Sequence, residues 1–525
     1  SKMMLTLVMF LATSLICVHP YKILVYNSKY GHSHSNFLGS IADLLVDAGH
    51  NVTSLIPVII DPESSDGTFK TTKIHVPQST ATAEHVRNMF AASKADLFHA
   101  KIFDPIAAYQ LGQMFSVIFS SQCEAVLETP GLIQMLRAES YDVMFTEHFD
   151  MCGTALTELI KPKAFIPTSS CSLFGQQFEE FGIPTALSSN PEPYLSNTKV
   201  HSTWDRLVNI YANILIRLSF GTIRPAIDAL FQKKFGTNFP SLLEISSKSA
   251  FIFINSEPLI DFAAPTLAKV IPIGGIGAKN PQPLDEKWES ILSKRSKNVL
   301  ISFGSSALSV NLPMPVKMSI LETAKSIPQV TFIWKYEEND DFANDIASNI
   351  PNVHLTKWMP QVDLLAHPAV SAFVTHGGMG STQEAAHSGV PGIFVPIFGD
   401  QPRNAGMMEQ NGLGKVLSKY DLYDPAKLNA AVREVLENKC YRKSAQRVAQ
   451  MLRSKPFAVA DLIVKYTEFA AEFGPSAALR PQSHDMNWIE YHNMDIIIAA
   501  IAVLMMLTMT SMKIAQRTTI EDEKD

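Results

Sequence analysis

The chain is poor in cysteine, with five residues in 525, and none of them has the spacing of a metal-ligand set. Cys17 lies in an N-terminal apolar run, and Cys123, Cys152, Cys171 and Cys440 are scattered. This pattern excludes a disulfide framework and a zinc module, and leaves open two bridges in an oxidising compartment. Positive charge is also short: 44 Lys and Arg face 50 Asp and Glu, a formal net charge of -6. Nucleic acid therefore has no general electrostatic footing here. Charged residues make up only 18% against 46% hydrophobic, which excludes a disordered chain. A dinucleotide fingerprint is missing as well. The nearest approach, Gly274-Gly275-Ile276-Gly277, lies in a Gly- and Pro-rich stretch with no following helix and no acidic partner. It reads as a linker over 272–283, and an NAD-dependent enzyme is rejected.

Long hydrophobic runs are confined to the two ends. Residues 3–18 follow Lys2 as an apolar run with small residues near its end, the pattern of a signal peptide over 1–19. Residues 496–512 carry no charge and would span about 25 Å as a helix, near the lower limit for a bilayer core. Trp488 and Tyr491 precede this run as interface anchors, and Lys513 and Arg517 follow it. The expectation is a single-pass protein with a lumenal body, a membrane helix over 494–512 and a cytosolic tail over 513–525. One glycosylation sequon, Asn51-Val52-Thr53, falls at a predicted strand start. The length between the two ends suits two large α/β domains.

The most informative stretch is 358–401. A short apolar run at 372–374 stops at Thr375-His376-Gly377-Gly378-Met379-Gly380. Residues 381–388 have helix composition and end at Gly389, a C-cap residue. A second apolar run, 392–398, ends at Gly399-Asp400-Gln401, where Pro402 suits the start of a helix and Asp400 its cap. This is a βαβ unit, whose ligands bind at the carboxyl ends of the strands. Both polar clusters fall at those ends. Glycines admit a close ligand, and a helix N-terminus at Ser381 attracts phosphate. Glu384, one turn on, repels phosphate and suits a ribose diol. The stretch predicts a nucleotide-diphosphate site.

The same stretch resembles the donor signature of the family 1 UDP-glycosyltransferases, the group that includes the UDP-glucuronosyltransferases. The likeness runs through W-x-P-Q from Trp358, L-L-x-H-P, the T-H-x-G-x-x-S-x-x-E run, G-V-P and the final Asp400-Gln401. It implies that Trp358 stacks on uracil and Gln361 contacts base or ribose. His376, Gly378 and Ser381 hold the diphosphate, Glu384 the ribose, and Asp400 and Gln401 sugar hydroxyls. Ser305, after a predicted strand at 298–303, is placed on the donor phosphate.

In the N-terminal half, residues 21–27 read as a buried strand, 37–48 as an amphipathic helix and 52–60 as a strand, again βαβ. His34 stands where the resemblance puts the catalytic base, with His32 as a rival. Glu147 closes the strand 141–146 where the family usually has aspartate as the partner of that histidine. Asp150 is the alternative partner. Residues 60–130 show only weak helices. Residues 204–218 carry apolar side chains on one helical face, expected to be a core helix.

The resemblance implies a GT-B fold, two facing Rossmann-like domains with a C-terminal transmembrane helix. The expected layout is an acceptor domain over 20–271, a linker over 272–297, a donor domain over 298–460 and helices over 461–493 that return to the first domain. It implies inverting transfer of glucose or glucuronic acid from UDP-glucose or UDP-glucuronic acid to a small lipophilic acceptor, without metal or further cofactor. It also implies residence in the endoplasmic reticulum, although a double-lysine retrieval tail is absent. Homo- or hetero-oligomers are compatible with it. A binding-only, membrane-tethered protein is the alternative, supported by the replacement of aspartate by Glu147.

Overall fold

The computed structural model describes residues 20–93, 98, 103–195, 202–277, 281–305 and 307–522. The expected signal peptide lies outside them. Two parallel sheets form the body. The first has seven strands: β1 (Lys22–Tyr26), β2 (Asn51–Pro57), β3 (Thr72–Val76), β4 (Val143–Glu147), β5 (Ala164–Ser169), β6 (Ile252–Ile254) and β7 (Val270–Pro272), in the order β3-β2-β1-β4-β5-β6-β7. The second has six: β8 (Lys297–Ser302), β9 (Val330–Lys335), β10 (Val353–Thr356), β11 (Val370–Thr375), β12 (Gly392–Phe394) and β13 (Gly414–Val416), in the order β10-β9-β8-β11-β12-β13. The order reverses at β1/β4 and at β8/β11, and such switch points are where open parallel sheets bind ligands.

The helices that bear on function are α1 (His32–Asp47), α2 (Pro105–Glu128), α3 (Cys152–Ile160), α4 (Thr203–Phe220), α5 (Gln361–Ala366), α6 (Met379–Ser388), α7 (Gln401–Gln410), α8 (Val459–Phe473) and α9 (Met494–Asp522). Each sheet is covered on both faces, so its central strands are uniformly apolar. Ile23, Val25, Phe145 and Ile166 pack beneath α1 and α8, whose Ile463, Ala470 and Ala471 are fully buried. The chain thus returns to the first sheet after completing the second. His50 and Glu468 of α8 meet at 3.4 Å there.

Several elements depart from the sequence reading. Residues 60–130 hold strand β3 and the 24-residue helix α2, opened by Asp104, which caps the N–H groups of Ile106 and Ala107. Strand β5 escaped notice because Pro167 lies in it, and proline argues against a central strand. Helix α4 forms and buries Leu215 and Ile216 in the core, but most of the expected apolar face lies outside it. Trp204, Leu207, Tyr211 and Ile214 stay exposed, while Asn209 and Asn213 are buried. Asn209 bonds the carbonyls of Leu187 and Asn190, and Asn213 bonds Glu192 at 2.9 Å. The loop over 187–192 takes the polar face. The run expected as strand over 392–398 is a strand only to Phe394.

Helix α9 continues past Lys513 to Asp522, where a separate tail was expected. Its Met494–Ala515 part is long and apolar enough to cross a membrane. At 22 residues it would reach about 33 Å. Cys123 of α2 and Cys152 of α3 form a disulfide that the scattered spacing did not foretell, while Cys171 is free and buried and Cys440 free and exposed. Replacing Cys123 and Cys152 together by serine opens a loop of 29 residues. By loop-closure entropy this should cost about 3 kcal/mol, read as a lower urea unfolding midpoint.

Candidate functional site

The carboxyl edge of the first sheet delivers three loops to one place. His34 sits in the first turn of α1, after β1. Glu147 ends β4, and Ser170 follows β5. The His34 side chain remains 21% exposed, whereas Glu147 is 1% exposed, so the imidazole faces the cleft and the carboxylate lies behind it. His34 Nδ1 is 3.8 Å from Glu147 Oε2. That is beyond hydrogen-bond range. The direct partners of Nδ1 are the Tyr30 and Ser170 hydroxyls. Tyr30 is fixed by a stack on Phe149, with ring centroids 5.3 Å apart. Burial, with Glu147 and Asp150 nearby, holds its phenol well above the usual range, so it stays protonated. With Nδ1 held from behind, Nε2 is the nitrogen left to the cleft. His32, the rival, bonds Asn36 instead.

Asp150 takes the N–H of Cys152 at 3.1 Å at the start of α3. Burial pushes its carboxyl up to about 7, against the pull of Ser28 and with added push from Glu147.

The second sheet builds its cluster in the same way. Gln361, first residue of α5, donates to Glu384 Oε2 at 2.6 Å and to Ser381 Oγ at 3.2 Å. These three expected residues share one patch. Gly389 ends α6 in the left-handed region, as the sequence predicts. Beside its N-terminus, the His376 ring fills the space above Gly304 and Gly378. A Cβ on either glycine would come within 2.6 Å of that ring. Gly304 also has φ +87°, so glycine is required there twice over. Ser305, next to Gly304, is exposed at this edge. Burial, then the Lys335 charge, lowers His376 to about 4, so its ring is neutral near pH 7. Lys335 bonds the Gly304 carbonyl at 2.8 Å and lies 5.6 Å from the centre of the exposed Trp358 ring.

Asp400 occupies the N-cap position of α7, but its carboxylate does not cap the backbone. It accepts from the Asn404 side chain at 2.7 Å. The Gln401 side-chain oxygen accepts the N–H groups of Ile397 and Phe398, which leaves its amide nitrogen for other partners. Burial raises the Asp400 pKa, while Asn404 and the His34 charge pull it down. Asp400 therefore lies within electrostatic reach of His34.

Among the expected residues, Gln361, Ser381 and Glu384 meet directly, and His376 packs on Gly378 and on the glycine preceding Ser305. Trp358 joins them only through Lys335. Tyr30, Ser170 and Lys335 were not foreseen. The run Ser169-Ser170-Cys171-Ser172 after an apolar segment was the available signal for the second, as was the polar end of strand β9 for the third.

The family model for UDP-glucoronosyl and UDP-glucosyl transferase matches residues 21–524. The chain belongs to this family. Among its relatives, a candidate UDP-glucuronosyltransferase of Caenorhabditis elegans, ugt-47, is 31% identical over 91% of this chain and 89% of its own length. UDP-glucuronosyltransferase 1A1 of Homo sapiens is 28% identical over 95% of this chain and 92% of its own. The fold matches the Os79 protein of O. sativa, crystallised with U2F and trichothecene. Its TM-score is 0.57 and its identity 14%, over 85% of this chain and 99% of that one. A glycosyltransferase of kitacinnamycin gives a TM-score of 0.56 at 18% identity, over 85% and 99%. This UDP-glycosyltransferase has the GT-B fold and transfers sugar from a UDP-sugar to an acceptor. The binding-only alternative is not favoured.

Asp150 offers a test of this UDP-glycosyltransferase's buried charge. Unfolded, Asp150 ionises near 3.8; folded, near 7. A raised folded pKa gives stability that is full below about 4 and lost as pH rises through about 7. Asp150→Asn removes that dependence. Between pH 4.5 and 7.5 the urea midpoint of the parent should fall relative to that of the variant.

Proposed function

We propose that the protein is an inverting transferase that moves glucuronic acid or glucose from its UDP donor to the hydroxyl of a small lipophilic acceptor. His34 Nε2 takes the acceptor O–H proton. The freed oxygen attacks the anomeric carbon from the face opposite UDP. The bond from that carbon to the β-phosphate oxygen breaks, its electron pair leaves with UDP, and a β-glycoside forms. Glu147 stabilises the imidazolium through space at 3.8 Å. Asp150 is left outside the proton path.

On the donor side, Trp358 stacks on uracil, and Gln361 with Glu384 holds the ribose. Asp400 and Gln401 bind sugar hydroxyls. The N-terminus of α6 at Met379 with Ser381 in its first turn, the N–H of Gly378, Ser305 and the neutral His376 take up charge on the leaving diphosphate. Lys335 adds the cation there. The proposed route uses protein groups alone, with no metal and no cofactor beyond the donor. The reading is carried by one observation: the helix that bears Ser381 and Glu384 is joined to His34 through Gln383, Asn255 and Ser170.

In the same reading the body is lumenal in the endoplasmic reticulum, with the end of α9 in the cytosol. Lys513 directly after the apolar run supports that orientation. Asn51 opens β2 with its side chain exposed, which suits a glycan. Asn51→Gln should abolish the mobility shift produced by peptide N-glycosidase on the membrane-expressed chain; a shift that persists would contradict the assignment.

The central test uses labelled UDP-glucuronic acid and UDP-glucose with a panel of phenols. His34→Ala should lower kcat about 10²–10⁴-fold, the usual share of a general base. UDP affinity, measured calorimetrically, should be unchanged.

A further inference from the structure

Two buried chains of side chains run from the donor helices into the loop that holds His34. The first starts at Arg403, two residues after Gln401 on α7. Its guanidinium meets Asp261 at 2.7 Å, with both side chains nearly sealed at 4% and 7% exposure. Asp261 accepts the hydroxyls of Ser172 and Ser256, each at 2.6 Å. Arg403 also donates to the carbonyl of Pro191 and to Asn190, its backbone N–H bonds Pro193, and its guanidinium lies over the Phe262 ring. The second starts at Gln383 on α6, the neighbour of Glu384. Gln383 Nε2 donates to Asn255 Oδ1 at 2.9 Å, and Asn255 Nδ2 donates to the Ser170 carbonyl at 2.9 Å. Gln383 Oε1 takes the N–H of Gly275 at 2.7 Å.

Both chains end on the segment 170–172. Ser170 is the residue whose hydroxyl contacts His34 Nδ1. Their other ends lie on the two helices whose N-termini carry Ser381 and Asp400. Arg403 makes polar contacts to Asp261, Asn190, Pro191 and Pro193, and it is an arginine buried between domains. An arginine there costs several kcal/mol of desolvation unless paired, and so it fixes its partner's position.

We propose that Arg403 and Gln383 are positioning residues that lock the imidazole of His34 at the right distance from the sugar, by clamping the segment 170–172 to the donor helices. The clamp acts through Asp261–Ser172 and Asn255–Ser170. It rests on the reading of His34 as the base. Preorganisation of this kind governs kcat, because small misplacements of a reacting group are costly while binding elsewhere is untouched.

The test uses the full-length chain in membranes. Arg403→Gln and Gln383→Ala should each lower kcat, by about 100-fold for the arginine, with UDP affinity held within about twofold. The acidic limb of the kcat pH profile should move with the arginine change, because the Ser170 contact to Nδ1 loosens. The double variant Asp261→Asn with Arg403→Gln separates positioning from folding. Removing both charges relieves the unpaired carboxylate, so the melting temperature should recover while kcat stays low. Three results would overturn the proposal: normal kcat in Arg403→Gln, loss of UDP affinity in parallel with kcat, or recovery of kcat together with stability in the double variant. His34→Ala distinguishes the two levels. If it stays active, the base assignment fails. If it is inactive and the Arg403 and Gln383 variants turn over normally, only the clamp fails.

Discussion

A parallel sheet sends all its strand ends to one edge, and that constraint governs this molecule. Each half can present functional side chains only where its strands finish. A transferase needs both substrates in one dry volume, so the two carboxyl edges must face each other and stay in register. Buried contacts enforce this. Arg403 pairs with Asp261 at 2.7 Å, and Gln383 bonds Asn255 at 2.9 Å. Helix α8 returns to pack on the first sheet, so the end of the chain straps the halves together.

Burial sets the charge states inside that volume. His376 is held neutral, which suits the hydrogen-bond donor proposed for it at the diphosphate, with the Lys335 charge beside it. Behind His34, the carboxylate of Glu147 is set back by two hydroxyls. The longer side chain at 147 is thus accommodated without a direct imidazole–carboxylate bond: Tyr30 and Ser170 contact the ring, and in the proposed mechanism Glu147 contributes field. Separation of those roles follows from geometry, since a hydroxyl can lock a tautomer but carries no charge.

Much of the donor half was legible because its chemistry is local in sequence. A glycine-rich loop, a helix that follows it and the carboxylate of Glu384 are all set by spacings of a few residues, although the helix opens at Met379 rather than at Ser381, and Gly389 ends it by its own backbone freedom. The first βαβ unit was equally plain from hydrophobic periodicity. Strand β5 was hidden by Pro167, and the face of α4 was misjudged because the loop at 187–192 needed its asparagines more than the core needed its Trp204 and Leu207.

By itself, the sequence determined the two α/β halves, the glycine-rich loop after strand β11, the terminal apolar helix and the position of His34 at a strand end, because each follows from periodicity or short-range spacing. Only the tertiary structure decided which groups hold that histidine, that Cys123 reaches Cys152, and that Arg403 is sealed against Asp261. Apart from Tyr30, which is four positions from His34, those partners lie 29 to 142 positions apart. Their meeting depends on how two sheets pack, a property of shape and burial that no local pattern encodes.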